Sequence, residues 1–199
     1  IDPKLATLVA AEAQSHIGMA RRLATSRDAR DRRHEYLQAA MNIRNMNDAV
    51  KTADKWLDLA KKDAAALTKE RDEEEKQTLL HSLGLTPGET VPPQYRTDVK
   101  NLEEAQKRRA TRSLRDGLDR ILVDLLALYR DVLTVQLQAN AELVNRDLED
   151  EIRNLAKASK PEDSIEVIDT IEKSRDRIDR NVRDIYVLDA LAATLKRKA

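Results

Sequence analysis

Apolar residues recur every three or four positions along most of this chain, which is the spacing of one face of an α-helix. The pattern is clearest in residues 46–82. Their predicted apolar face consists of Val50, Ala53, Leu57, Ala60, Ala64 and Leu67. Trp56 borders this face, and residues 69–77, KERDEEEKQ, interrupt it with a run that is polar all round. A helix that is polar all round is stabilised by charge pairs and lies in water.

A second long helix is predicted downstream, with Thr97 as its N-cap. Its first half is sparse in apolar residues, whereas residues 114–137 form the most apolar segment of the chain. Gly117 interrupts that segment and predicts a kink or a close helix crossing. Because residues 86–93 are rich in turn formers, we expect the two long helices to form an antiparallel hairpin. Its arm, residues 68–113, is expected to be thin and solvated.

Shorter helices are predicted at both ends of the chain. Asp2 and Pro3 make a typical helix start, with Asp as the N-cap and Pro at the first helical position. Ser15 and Asn145 are the predicted caps of two further short helices. Residues 165–195 keep one continuous stripe of Ile, Val and Leu. The predicted fold class is therefore all-α: a helical bundle with a long protruding antiparallel hairpin.

The composition agrees with long helices and few connections. Hydrophobic residues make up 41% of the 199 residues, charged residues 36% and aromatic residues 3%, and Phe is absent. Four glycines and five prolines leave little material for turns. The core must therefore be built from Ala, Leu, Ile and Val. No apolar run approaches the roughly 20 residues that span a membrane.

Charge and residue types disfavour several function classes. Lys plus Arg and Asp plus Glu both number 36, so the net charge is zero and general polyanion binding is disfavoured. The absence of Cys excludes disulfides and thiolate metal sites. His16, His34 and His81 stand in no metal-binding motif, and neither a glycine-rich phosphate loop nor a nucleophile elbow occurs. We therefore expect no catalytic residue, no metal and no cofactor.

A basic run raises a separate hypothesis. Five cations lie at helical spacing: Lys107, Arg108, Arg109, Arg112 and Arg115. Such a row can track a phosphate backbone, with Arg108, Arg109 and Arg112 as candidate nucleic-acid contacts. Acidic residues within a turn or two can neutralise the row and leave an ordinary solvated helix. They are Glu103, Glu104, Asp116 and Asp119. A helical coiled-coil adaptor that contacts nucleic acid through a basic helix therefore stays open.

Two segments of the chain carry a family resemblance. Residues 128–139, LYRDVLTVQLQA, form an apolar helix with a Tyr-Arg-Asp triplet. Residues 168–195, IDTIEKSRDRIDRNVRDIYVLDALAATL, carry Ile-Glu, Arg, Asn-Val and Leu-Asp-Ala-Leu in that order. The order and spacing of these groups resemble the delta-prime subunits of the bacterial DNA polymerase III clamp loader. Candidate subunit-interface residues on these segments are Tyr129, Arg130, Asp131, Asn181, Leu188 and Leu191.

The resemblance extends to the start of the chain. Residues 15–24, SHIGMARRLA, resemble the helix that closes the lid of AAA+ clamp-loader modules. Met19 stands where that family often has an arginine near the nucleotide, and a thioether cannot supply the cation. The resemblance implies that residues 1–26 are the end of an AAA+ lid domain and residues 27–199 a helical collar domain. Since the chain begins at Ile1 without Met, we expect it to be part of a longer protein.

The resemblance implies a non-catalytic assembly domain. In that family the collar joins delta-prime to the tau/gamma and delta subunits in a five-membered ring that places the sliding clamp on primed DNA. ATP hydrolysis is expected in other subunits, and DNA is expected to be contacted only through the assembled complex. A bacterial cytoplasmic location and no membrane partner follow from the same resemblance. The apolar stripes are then expected to be covered by sister subunits.

Overall fold

All the regular secondary structure in residues 2–86 and 88–196, which the computed structural model describes, is helical. Eight α-helices, two short 3₁₀ helices and no strand occur in these residues. The α-helices are α1 (Pro3–Glu12), α2 (Ile17–Thr25), α3 (Arg27–Met41), α4 (Met46–Ser82), α5 (Arg96–Gln136), α6 (Glu149–Lys157), α7 (Pro161–Asp179) and α8 (Asp184–Thr194). The 3₁₀ helices, Pro93–Tyr95 and Arg146–Leu148, directly precede α5 and α6. The predicted all-α class is confirmed.

The chain divides into two compact units. Unit 1 comprises the described residues of Ile1–Leu57 and Asp119–Ala199, and unit 2 comprises Asp58–Leu118. Both α4 and α5 contribute residues to each unit. The predicted boundary between residues 26 and 27 falls inside unit 1, where Ser26 alone separates α2 from α3. None of the helices in the described residues combines the length and the apolarity needed to cross a membrane.

The core of unit 1 draws on all eight α-helices and on the 3₁₀ helix before α6. Its largest fully buried side chains are Leu23, Leu37, Ile43, Trp56, Leu122, Leu125, Leu128, Leu148, Ile152, Ile171 and Leu188. The indole N–H of Trp56 donates to the backbone carbonyl of Tyr36 at 3.2 Å, so the one polar atom of the ring is satisfied. Burying each such side chain stabilises the fold by about 1.5–3 kcal/mol.

The bounds of α4 agree with the predicted helix over residues 46–82, but its buried face is rotated from the predicted one. Three residues of the predicted face, Ala53, Ala60 and Ala64, are buried, whereas Val50 is 46% exposed and Leu67 is 62% exposed. Ala49 and Trp56, outside the predicted face, are buried as well. Trp56 therefore lies in the middle of the buried face and not at its border. An indole buries more apolar area than either aliphatic side chain, which favours the rotation that buries the ring.

The helix starts near the N-terminus agree with the predictions only in part. The Asp2 carboxylate accepts a hydrogen bond from the Lys4 N–H at 3.2 Å, as predicted for the cap of α1. The cap of α2 is His16, whose Nδ1 accepts from the Met19 N–H at 3.2 Å. Ser15, the predicted cap, has a φ of 68° and lies in the turn before it.

The predicted apolar stripe over residues 165–195 is divided between α7 and α8. Asn181 has a φ of 63°, in the left-handed region that Asn tolerates better than most residues. Its N–H donates to the Ile178 carbonyl at 3.0 Å, and the Val182 N–H donates to the Arg177 carbonyl at 3.0 Å. These two bonds form a Schellman motif, which satisfies the last carbonyls of α7 and ends the helix.

Within unit 2, α4 and α5 run antiparallel. The Gln106 amide donates to the Asp72 carbonyl at 2.8 Å, while Gly117 lies beside Ala60. Residues later in α5 therefore contact residues earlier in α4, as expected for antiparallel helices. The helix α5 begins at Arg96, so Thr97 is already inside it and is not its N-cap.

Gly117 marks a close approach of α5 to α4, one of the two predicted outcomes. A Cβ atom added to Gly117 would lie 3.7 Å from the Cβ and the carbonyl oxygen of Ala60, and 3.8 Å from its Cα. These are ordinary van der Waals distances. The close approach therefore leaves room for alanine at this position.

Candidate functional site

A network of buried charged side chains lies inside unit 1. Its first three members are Glu12 at the end of α1, Arg33 of α3 and Asp124 of α5, all at most 3% exposed. The Nη1 of Arg33 donates to Oε1 of Glu12 at 2.9 Å. The Nε of Arg33 lies 3.6 Å from Oδ1 of Asp124. One guanidinium thus stands between two carboxylates from different helices.

The Asp124 carboxylate accepts further hydrogen bonds from residues of α3 and α5. The Tyr36 hydroxyl donates to its Oδ2. Arg120, one turn earlier on α5, donates to the same carboxylate from Nε at 3.1 Å and from Nη2 at 2.5 Å. Nη2 of Arg120 also donates to the backbone carbonyl of Glu12 at 2.6 Å. A carbonyl at the end of α1, which lacks a partner within the helix, is satisfied in this way.

The network continues to Asp131 and the segment before α6. Oδ1 of Asp131 accepts from the Val144 N–H at 3.1 Å, and Oδ2 accepts from the backbone and side-chain nitrogens of Asn145, both at 2.8 Å. Oδ1 of Asn145 accepts from Nη2 of Arg33 at 2.5 Å. The Asn145 side chain is therefore part of the network and does not act as the predicted helix cap.

Burial and charge shift the pKa of three groups in the network. Burial raises the pKa of Glu12 to about 7, because it outweighs the opposing attraction of Arg33. Burial and the neighbouring Asp124 raise the pKa of the Tyr36 hydroxyl. Burial acts to lower the pKa of Arg33, but Asp124 and Glu12 outweigh it and the pKa is raised. Glu12 is therefore a buried carboxyl that changes its charge near neutral pH.

The network joins elements that are far apart in the sequence. It connects α1, α3, α5 and the segment before α6. Each of its three carboxylates accepts at least one hydrogen bond, whereas Nε of Arg33 makes none. Removing one partner of such a buried ion pair leaves an uncompensated charge, at a cost of about 3–5 kcal/mol. In the described part of the chain, no three His, Asp or Glu side chains converge as the ligands of a metal ion do. The arrangement therefore fixes helices in place.

The apolar spacing of the sequence predicts no role for Glu12, Arg33 or Asp124. The signal for two of them is nevertheless in the printed chain. Arg33 lies on the face of α3 that buries Ala29, Tyr36, Leu37 and Ala40, and Asp124 lies inside an apolar run of α5. A charged residue inside an apolar helical stripe indicates a paired, buried charge, since unpaired charges are almost never fully buried.

Four of the six candidate interface residues lie inside unit 1. The buried side chains are Tyr129, Asp131, Leu188 and Leu191, none more than 5% exposed. Other helices of the same chain cover them, so in this structure they offer no surface to a sister subunit. Asp131 has the internal role given above. Arg130 and Asn181 are exposed and stay candidates.

Met19 belongs to a small apolar cluster formed by α1, α2 and α3. It packs with Leu5 and Ala24 against the buried side chains of Val9, Leu23 and Ala29. Its position in the core of the first three helices gives it a packing role.

The three arginines predicted to contact nucleic acid are not equivalent. Arg109 faces α4: its Nη1 lies 2.5 Å from Oδ1 of Asp72, and its Nη2 lies 2.8 Å and 2.9 Å from the two carboxylate oxygens of Glu75. Hydrogen bonds from Arg71 and Arg109 lower the pKa of Glu75. Arg108 and Arg112 are exposed. The donors of Arg109 are thus occupied within unit 2, which argues against its predicted role.

Exposed apolar side chains mark the surface near the α7–α8 turn. Val182 is 42% exposed and Tyr186 is 61% exposed, and the Arg183 guanidinium lies 5.3 Å from the centroid of the Tyr186 ring. At the other end of α7, Leu137 and Ile165 are also exposed. Large apolar groups at a surface, with an aromatic ring and an arginine beside them, are typical of protein interfaces.

Comparisons of the chain with protein-family models, with curated proteins and with solved structures find no match. The fold and the buried network define an all-helical protein whose charged residues hold its helices together. Its function is accordingly inferred from its own residues.

Proposed function

We propose that this chain is a non-catalytic assembly domain of a bacterial clamp loader, namely the collar region of a delta-prime subunit with the end of the AAA+ lid before it. In this proposal unit 1 contains the collar-like bundle and unit 2 is the antiparallel arm. Sister subunits of the tau/gamma and delta types are its partners. ATP hydrolysis takes place in those neighbours.

The observation that supports the proposal most directly is the packing of the two segments that carry the resemblance. The Gln136 amide donates to the carbonyl and the hydroxyl of Ser159 at 3.1 Å and 2.9 Å, and the Ser164 hydroxyl donates back to Gln136 at 2.8 Å. Further along, Arg175 of α7 donates to Asp119 of α5 at 2.6 Å and 3.3 Å. The helices that contain residues 128–136 and 168–179 thus contact each other directly.

The buried network fits the proposed arrangement of lid and collar. Glu12 lies in the stretch that resembles the lid, whereas Arg33 and Asp124 lie in the stretch that resembles the collar. Their ion pairs join the two stretches inside unit 1. A fixed connection between lid and collar suits a subunit that keeps its place while its neighbours turn over ATP.

The proposed partner surface differs from the one that the apolar stripes predict. Because Leu188 and Leu191 are internal, contacts with sister subunits are assigned to exposed residues instead. Val182 and Tyr186 at the α7–α8 turn are the first candidates, with Arg130 and Asn181 as polar members. Tyr and Arg side chains commonly carry a large share of the binding energy at protein interfaces.

Reconstitution tests this proposal. The chain is mixed at micromolar concentrations with tau/gamma and delta subunits from the same source, and complexes are detected by size-exclusion chromatography with light scattering. We expect a complex with the wild-type chain and weaker association for Val182→Ser/Tyr186→Ala. Val50→Ser/Leu67→Ser is the matched control, because both side chains are exposed and apolar but lie on α4. The absence of any complex with the wild-type chain would refute the proposed function.

A further inference from the structure

The half of α5 that faces away from α4 is strongly basic. Gln106 and Arg109 fix the side of α5 that contacts α4. Because successive residues of a helix are about 100° apart around its axis, these two positions also determine which residues lie on the half that faces away from α4, the outer half. Between residues 100 and 115 that outer half holds the cations Lys100, Lys107, Arg108 and Arg115 and the carboxylate of Glu104, and Arg112 and Glu103 lie at its two edges. All of these except Arg115, which is half-buried, are exposed.

Local pairing leaves this outer half positive. The carboxylate of Glu104 serves two cations, at 4.0 Å from Lys100 and 3.8 Å from Arg108, and Arg115 has an interaction of its own. Among the residues that the structure describes, no carboxylate lies within ion-pair distance of Lys107 or Arg112. Unit 2 is therefore locally basic along α5, although the whole chain has no net charge.

The carboxylates of α4 either pair with Arg109 or lie on a different surface of α4. Asp72 and Glu75 face α5 and bind Arg109. Glu70, Glu73 and Glu74 line a shallow surface of their own on α4. Within unit 2, α4 thus has an acidic surface and α5 a basic one. A negatively charged partner is attracted to the basic surface of α5.

We propose that the outer half of α5 binds the phosphate backbone of double-stranded nucleic acid without sequence preference. Residues 100–115 extend over roughly 22 Å at 1.5 Å per residue, and a duplex carries about one phosphate charge per 1.7 Å of its axis. A row of Lys and Arg of this length can therefore reach several phosphates. This site does not depend on the proposed function in clamp loading.

The residue types on this half favour a duplex over other anionic partners. Residues 96–118 contain no aromatic side chain on which the bases of a single strand would stack. Protein interfaces have an apolar or aromatic centre, whereas the outer half offers only Leu114, which is half-buried, as an apolar side chain between residues 100 and 115. Lys and Arg without a base-reading group are suited to the backbone.

Fluorescence anisotropy of a labelled 20-base-pair DNA duplex of mixed sequence, titrated with the 199-residue chain at several NaCl concentrations, tests this inference. If four or five phosphates are contacted, log K falls with log salt with a slope of about −4. We expect Lys107→Gln/Arg108→Gln/Arg112→Gln to make that slope shallower by about 2.7, or 0.9 per cation. Affinity at 50 mM NaCl should fall at least about tenfold, as expected for the loss of three phosphate contacts.

The matched control is Lys61→Gln/Lys69→Gln/Lys76→Gln, which removes the same charge from exposed positions on α4. We expect this variant to bind nearly as the wild type does. Circular dichroism at 222 nm verifies that both variants keep their helices. The inference is overturned if the wild type does not bind at 50 mM NaCl, if the α4 variant weakens binding as much as the α5 variant, or if polyglutamate of equal charge competes as well as unlabelled duplex.

Discussion

Glu12 makes the stability of unit 1 depend on pH in a calculable way. Its pKa is about 7 in the folded chain, against an ordinary value of 4.5. The folded state therefore holds this proton more tightly than the unfolded state. The stabilisation that protonation provides is fully present below pH 4.5 and is lost as pH rises through 7.

The expected size follows from the two pKa values. Between pH 6 and pH 8 the contribution of Glu12 to the free energy of unfolding falls by about 1 kcal/mol, and over the whole range by about 3 kcal/mol. Glu12→Gln keeps the shape of the side chain and removes the titration. The difference in pH dependence between wild type and variant isolates this one group.

Trp56 supplies the assay, because it is the only tryptophan and is fully buried in unit 1. Urea unfolding followed by its fluorescence at pH 6 and pH 8 gives the free energy of unfolding of this unit. We expect the wild type to lose about 1 kcal/mol more than Glu12→Gln between these pH values. Glu151→Gln, which removes an exposed carboxylate from α6, controls for net charge. Equal losses in wild type and Glu12→Gln would refute the linkage.

Three further predictions concern stability. Arg33→Met should lower the free energy of unfolding by about 3–5 kcal/mol, since Glu12 and Asp124 lose their shared partner; urea titration with Trp56 fluorescence measures it, and a loss below 1 kcal/mol would contradict the role of the network. Gly117→Ala should stabilise α5 by about 1 kcal/mol, because the added methyl group has room beside Ala60; thermal melting followed at 222 nm tests it, and a lower melting temperature would show that the helices are closer than ordinary contact. Asn181→Gly should raise stability by up to about 1 kcal/mol and Asn181→Ala should lower it, because the backbone there has a φ of 63°; the reverse order in urea titrations would rule out the left-handed cap as the cause.

The long helices were predictable because their signal is local. The apolar spacing over residues 46–82 gives both bounds of α4, and the polar run at 69–77 does not end the helix, since charge pairs such as Arg71–Glu75 stabilise it. The rotation of α4 was not predictable from that spacing. It depends on where the Trp56 ring finds space and on its hydrogen bond to Tyr36, which lies on another helix.

The buried network and the partner surface were beyond a periodicity argument for different reasons. The spacing of apolar residues, taken alone, places every charged residue in solvent. It therefore does not predict the burial of Arg33 and Asp124, which lie within apolar helix faces. An apolar stripe indicates that Leu188 and Leu191 are covered, but it does not indicate which chain covers them. The break at Asn181 depends on a single left-handed residue, and the continuous stripe of Ile and Leu masks it.

The order of synthesis gives the Arg33 cluster a consequence for folding. Arg33 receives its counter-charges from Glu12, which emerges 21 residues earlier, and from Asp124, and it donates to the side-chain oxygen of Asn145, 112 residues later. A nascent chain that ends before α5 contains Glu12 but neither Asp124 nor Asn145. The Arg33 guanidinium, which is buried in the complete fold, then has only one of its three partners. Contacts between residues so distant in sequence form late, because the chain between them must first be brought together. The first three helices should therefore gain lasting protection from a protease only after the end of α5 has left the ribosome.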